Sequence, residues 1–153
     1  MSSPLAQIAA DFKDASPQDR LQLLLEFSDE LPELPERYAD APEQLEQVHE
    51  CQSPLFLAVE ISAEPEVGPE DQRVSIFFSA PPEAPTTRGF AGILHEGLDG
   101  LTVREVLDTP DQAPMDFGLA EVVSPLRMRG MVAMLTRIKR QVRLRTAPAA
   151  NPA

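Results

Sequence analysis

The sequence predicts an α+β fold: a small antiparallel sheet of two clear strands and a third, with helices packed on one face. Three observations carry this. Ser3-Pro4, Ser16-Pro17 and Ser124-Pro125 each stand before apolar residues spaced three and four apart, the pattern of an amphipathic helix with a serine cap and proline in its first turn. Two short runs, PLFLAVEIS (54–62) and RVSIFFSA (73–80), are rich in β-branched and aromatic side chains and too short for helices. No internal repeat and no long linker divides the 153 residues, a length that suits one domain with one core.

The first helix is expected behind Ser3, with Leu5, Ile8 and Phe12 on one side. The second follows Ser16, with Leu21, Leu24, Leu25 and Leu31 facing one way. Pro32, Pro35 and Pro42 then break the chain into an irregular loop with one turn near Glu43–Gln47. The two strand-like runs follow, joined by the turn-rich AEPEVGPEDQ, and form an antiparallel hairpin with a long loop. A helix is expected from Thr86 to Glu96, ended by Gly97, and Thr102 opens a short one that stops before Pro110. PMDFGLAEVV has no clear period and reads as one helical turn. Behind Ser124, the residues Met128, Met131, Val132, Leu135, Ile138 and Val142 mark a long last helix. The folded domain is expected over 1–145 and a disordered tail over 146–153.

The charge is divided along the chain. All 25 acidic residues lie at or before Glu121, against six basic ones, a net of −19; the remainder carries seven basic residues and no acidic one. An acidic body repels phosphate backbones, so nucleic acid is not an expected partner. No run approaches the roughly 18 apolar residues of a membrane span, and no membrane partner is expected. The N-terminal stretch has no basic segment followed by an apolar one, and the single cysteine suits a reducing compartment; the protein is expected in the cytoplasm. The basic last helix is either a solvated face or a dock for an acidic surface.

Few residues carry chemistry. Neither glycine-rich phosphate-binding pattern occurs. With one Cys and two His there is no soft-ligand cluster, and no acidic stretch has the calcium-loop pattern, so no metal and no cofactor is expected. What remains is Cys51, placed between the polar stretch PEQLEQVHE and a strand, where a loop displays a side chain on a rigid frame. A lone cysteine is often a small buried hydrophobe. To react it must become a thiolate, which neighbouring Glu50 and Glu46 oppose, so help must come from Arg88 or the arginines of the last helix. His49 lies two residues before it, either as a proton acceptor or as a solvated loop histidine.

Four stretches in fixed order, LPELPERY, CQSPLFLAVEI, RGFAGIL and SPLRMRGMVAMLTRIKRQV, span roughly residues 20–143. Together they resemble the SufE family of sulfur-acceptor proteins, which serve a pyridoxal-phosphate-dependent cysteine desulfurase in iron–sulfur cluster assembly. The resemblance implies a SufE/IscU-like fold and a transient persulfide on Cys51. It implies a non-enzymatic sulfur carrier that stimulates the desulfurase and hands sulfur to an iron–sulfur scaffold complex. It also implies loop support from Gln52 and Ser53, and thiol or partner contacts from Arg127, Arg88 and Glu83. Gly89 and Gly130 would permit close helix packing. Two departures stand out: Glu50 replaces the glycine usual before the cysteine, and Phe56 replaces a frequent tryptophan. Two other classes compete, a thiol-dependent peroxidase or hydrolase with Cys51 as nucleophile and His49 as base, and a protein adaptor without chemistry.

Overall fold

The computed structural model describes residues 3–146. Helices α1 (Pro4–Lys13) and α2 (Pro17–Glu30) lead, followed by the short α3 (Glu36–Ala39). Strands β1 (Glu46–Gln47), β2 (Phe56–Ile61) and β3 (Val74–Ser79) come next, then α4 (Pro85–Leu98), α5 (Val103–Asp108) and α6 (Pro125–Thr146). The sheet has the order β1-β2-β3 and is antiparallel throughout, with Phe56 opposite Ser79 and Ile61 opposite Val74. The fold is α+β, as expected. The third strand is only two residues long, at the end of the proline-broken segment.

The Ser-Pro starts behave as capping chemistry requires. Ser3 Oγ accepts from the Ala6 N–H and Ser16 Oγ from the Asp19 N–H, each supplying a partner to an otherwise free donor of the first turn. Ser124 Oγ accepts from Arg127 N–H in the same way. At α5, Thr102 and Glu105 form a reciprocal capping box.

Leu57, Val59, Val74, Ile76 and Phe78 are buried and project from one face of the sheet, where α6 packs on β2 and α4 on β3. The other face is not bare, because Tyr38 of α3 lies 5.1 Å from the Phe77 ring. Helices α2 and α4 cross at contact distance. A methyl on Gly89 would lie 2.6 Å from the Leu24 carbonyl oxygen, and one on Gly92 would lie 2.2 Å from that of Phe27. Gly89 therefore has the packing role expected of it.

Three expectations need correction. Leu21 and Leu25 do not join Leu24 and Leu31 in the core; they are 42% and 43% exposed. They stand at the margin of the stripe, and α4 covers only its centre. Gly97 does not end α4 but lies inside it against Leu5, where its missing side chain makes room. The chain turns instead at Gly100, whose φ of 87° suits glycine. The ambiguous PMDFGLAEVV forms two 3-10 turns hinged at Gly118, φ 68°, not one helical turn. On α6, Thr146 is still helical; residues 147–153 of the expected tail lie outside the described residues.

Candidate functional site

Cys51 lies at the tip of the β1–β2 hairpin, and what holds that tip is mostly backbone. Val48 N–H donates to the Leu55 carbonyl (2.8 Å), closing the loop below the strands, and Cys51 N–H donates to Val48 C=O (3.2 Å), turning the chain at the thiol. Val48 and Leu55 are fully buried, so the loop is rooted in the core. The cysteine itself is half-buried.

The thiol packs on α6. A Cβ added at Gly130 would stand 3.0 Å from Cys51 Sγ and 3.5 Å from its Cα. Gly130 thus serves the thiol loop, not the helix-on-helix packing that the sequence reading assigned to it. Removing the thiol from water disfavours its charged form, and the Glu50 carboxylate disfavours it further. Arg137 opposes both, and the balance leaves the thiol pushed up to about 11. At neutral pH the neutral thiol is therefore the favoured form. This is a sheltered thiol, not an activated one.

Arg137 is the arginine that reaches the loop. Its Nη2 donates to both oxygens of Glu50, at 2.8 and 3.1 Å, and its Nη1 to the Gln47 carbonyl at 3.4 Å. Its Nε lies 3.4 Å from Glu46, which also pairs with Arg140 and accepts from Gln141 Nε2 at 2.8 Å. Gln141 Oε1 in turn takes the Val59 N–H (3.0 Å), a donor of β2 beyond the reach of the short β1. In the sequence the arginines of the last helix are candidates as a group and Arg127 is the one the motif points to; Arg137 carries no such mark. The available signal was its place seven residues, two turns, after Gly130, on the same side of the helix.

None of the other candidates bonds the thiol or Glu50 among the described residues. Arg127 is exposed, and among the described residues its guanidinium has no ion pair. Arg88 donates to three carbonyls, Ala80 (2.7 Å), Ser28 (2.9 Å) and Leu31 (3.4 Å), so it fastens the end of α2 to the end of β3. Because Phe56 pairs with Ser79, that anchorage lies at the same end of the sheet as the thiol loop. Glu83 is exposed in the turn that follows. His49 and Gln52 are exposed and Ser53 is half-buried, and none of their side chains forms a hydrogen bond among the described residues. Among the described residues no three His, Cys, Asp or Glu side chains group to hold a metal ion. No described helix is long and apolar enough to cross a membrane.

Beside the loop, an apolar groove of about 580 Å³ runs between α6 and the 3-10 turns. Met115, Met128, Val132 and Ala133 line it, and Glu50, Arg129 and Arg137 stand at its charged parts.

Fold and site together define an α+β protein that presents one sheltered cysteine on a hairpin held by its last helix. The chain belongs to the SufE family. Residues 6–142 match the family model described as SufE, Fe-S metabolism associated domain, which ties the chain to iron–sulfur metabolism. Uncharacterized SufE-like proteins from two Mycobacterium tuberculosis strains, CDC 1551 and H37Rv, are each 50% identical over 143 residues, covering 94% of both chains. The solution structure of a hypothetical protein from Thermus thermophilus is 39% identical, with a TM-score of 0.74 over 94% of this chain and 97% of that one.

Proposed function

We propose that this protein is a sulfur acceptor and carrier working in the cytoplasm. It takes persulfide sulfur from a pyridoxal-phosphate-dependent cysteine desulfurase onto Cys51 and passes it to an iron–sulfur scaffold complex. The observation that carries the reading is the seat of Cys51: a single thiol on a hairpin tip, half-buried against Gly130. A persulfide is exposed to reductants and oxidants in water, and such a seat shelters it between encounters. Arg137 supplies positive charge that favours the developing anion.

The transfer balances without an added oxidant. Cys51, as thiolate, attacks the outer sulfur of the desulfurase persulfide. The S–S bond of the donor breaks, its cysteine leaves as a thiolate, and the proton lost by Cys51 goes to that thiolate. One persulfide and one thiol are consumed and one of each is formed. Because burial and Glu50 disfavour the resting thiolate, a partner that changes those surroundings on docking would favour transfer.

The test is mass spectrometry of the Cys51 peptide under non-reducing conditions, after incubation with a cysteine desulfurase and cysteine. One added sulfur atom is expected on that peptide, and none on Cys51→Ser. A Cys51→Ser protein that stimulated desulfurase turnover as well as the original would overturn the carrier reading. A peroxidase or hydrolase finds less support: His49 is exposed, and its side chain forms no hydrogen bond among the described residues, so the thiol has no base beside it there.

A further inference from the structure

Glu50 stands next to the thiol, where its charge works against ionisation, and among the described residues its carboxylate is spent on a single partner, Arg137. That arginine also grips the Gln47 carbonyl at the end of β1, so one guanidinium ties the strand end below the loop to the neighbour of the thiol. The loop is thus attached to α6 at two places two helical turns apart, by packing at Gly130 and by charge at Arg137. Arg137 is itself held through Glu46, which Arg140 and Gln141 fix, and Gln141 is bonded to the sheet at Val59. The anchor is therefore rigid on the helix side. On the loop side it ends at Glu50, whose side chain is 47% exposed, against 20% for Arg137. Both residues border the groove, so a partner seated there reaches the pair directly.

We propose that Arg137 is a positioning residue and that its ion pair with Glu50 is a latch that keeps Cys51 seated against Gly130. That the latch gates sulfur transfer rests on the carrier reading above; the latch itself is a property of the isolated chain. A partly exposed pair of this kind shifts a local equilibrium by about two- to five-fold. Opening the latch releases the thiol for reaction and closing it shelters the product.

The test is the alkylation of Cys51 by iodoacetamide in the isolated full chain. The pH profile of the rate separates the amount of thiolate from the rate constant of each thiolate. Arg137→Met removes a positive charge, so electrostatics alone would deplete the thiolate and slow the reaction at a given pH. The latch requires the opposite for the rate constant of the thiolate, a rise of about two- to five-fold. Arg137→Lys, which keeps the charge, should stay near the original. An unchanged or lower thiolate rate constant in Arg137→Met would overturn the proposal, as would Arg137→Lys as fast as Arg137→Met. Should Arg137→Met not fold, Glu50→Gln on the exposed loop carries the same expectation, and an unchanged thiolate rate constant there would equally overturn it. Absence of a sulfur adduct on the original protein would defeat the carrier reading and leave the latch result standing.

Discussion

At the scale of single residues, Cys51 and Gly130 form one unit although 79 positions separate them. A methyl at position 130 would crowd Sγ to 3.0 Å, closer than carbon and sulfur normally pack. Since the hairpin tip is the softer partner, Gly130→Ala should push the thiol outward. Alkylation should quicken several-fold and its midpoint should fall from about 11, read from the pH profile of the rate. The thiol also makes stability depend on pH. Its folded value lies above the ordinary value of about 8.5, so the folded state holds this proton longer than the unfolded chain. Below pH 8 the effect vanishes. Stability falls as pH rises through the window up to about 11, where a charged thiolate must be kept out of water. Cys51→Ser should remove this contribution, so the difference in urea midpoint between the two proteins should change across that window and stay constant below it.

At the scale of elements, the legible parts are those governed by local chemistry. Ser3, Ser16 and Ser124 cap the helices their Ser-Pro pairs announced, and Thr102 opens α5, because a cap needs only its own next three residues. What was not legible depends on distant partners. Nothing local tells that α4 covers Leu24 and leaves Leu21 and Leu25 in water. Nor does the sequence show that Gly97 meets Leu5, or that a polar Gln141 continues the sheet by accepting from Val59. Arg88 is the clearest case, since its three carbonyl acceptors belong to α2, the segment behind it and the end of β3. In sequence it reads as a candidate thiol or partner contact, and in the fold it serves as a fastener. Arg88→Ala leaves those carbonyls without their charged donor and should cost about 2–3 kcal/mol, measured by urea unfolding. Gln141→Leu orphans a buried N–H of β2 and should cost about 1–3 kcal/mol by the same measurement, at little change in helix content.

At the scale of the whole molecule, the last helix brings two things to the body, seven positive charges and a buried apolar stripe. The charges are partly consumed by pairing, with Glu46, Glu50 and Asp111 as acceptors for Arg137, Arg140 and Lys139. That charge division was plain from composition, whereas the identity of the pairs required the fold, because Lys139 is buried on a helix that reads as solvated there. The question is which contribution makes α6 indispensable. Pairs with exposed partners are worth about 0–1 kcal/mol each. By contrast, Met128, Met131, Met134, Leu135, Ile138 and Val142 are all buried, and each such side chain is worth about 1.5–3 kcal/mol. Their sum, about 9–18 kcal/mol, is as large as the whole stability of an ordinary domain, about 5–15 kcal/mol, so burial decides. A chain ending at residue 123 should therefore lack a cooperative thermal transition, show collapsed near-ultraviolet dichroism and bind apolar dyes. Adding about 0.5 M sodium chloride screens the −19 body to within a few ångströms but cannot replace lost burial, so it should not restore the transition. A truncated chain that folded cooperatively in salt would show that the helix acts mainly through its charge.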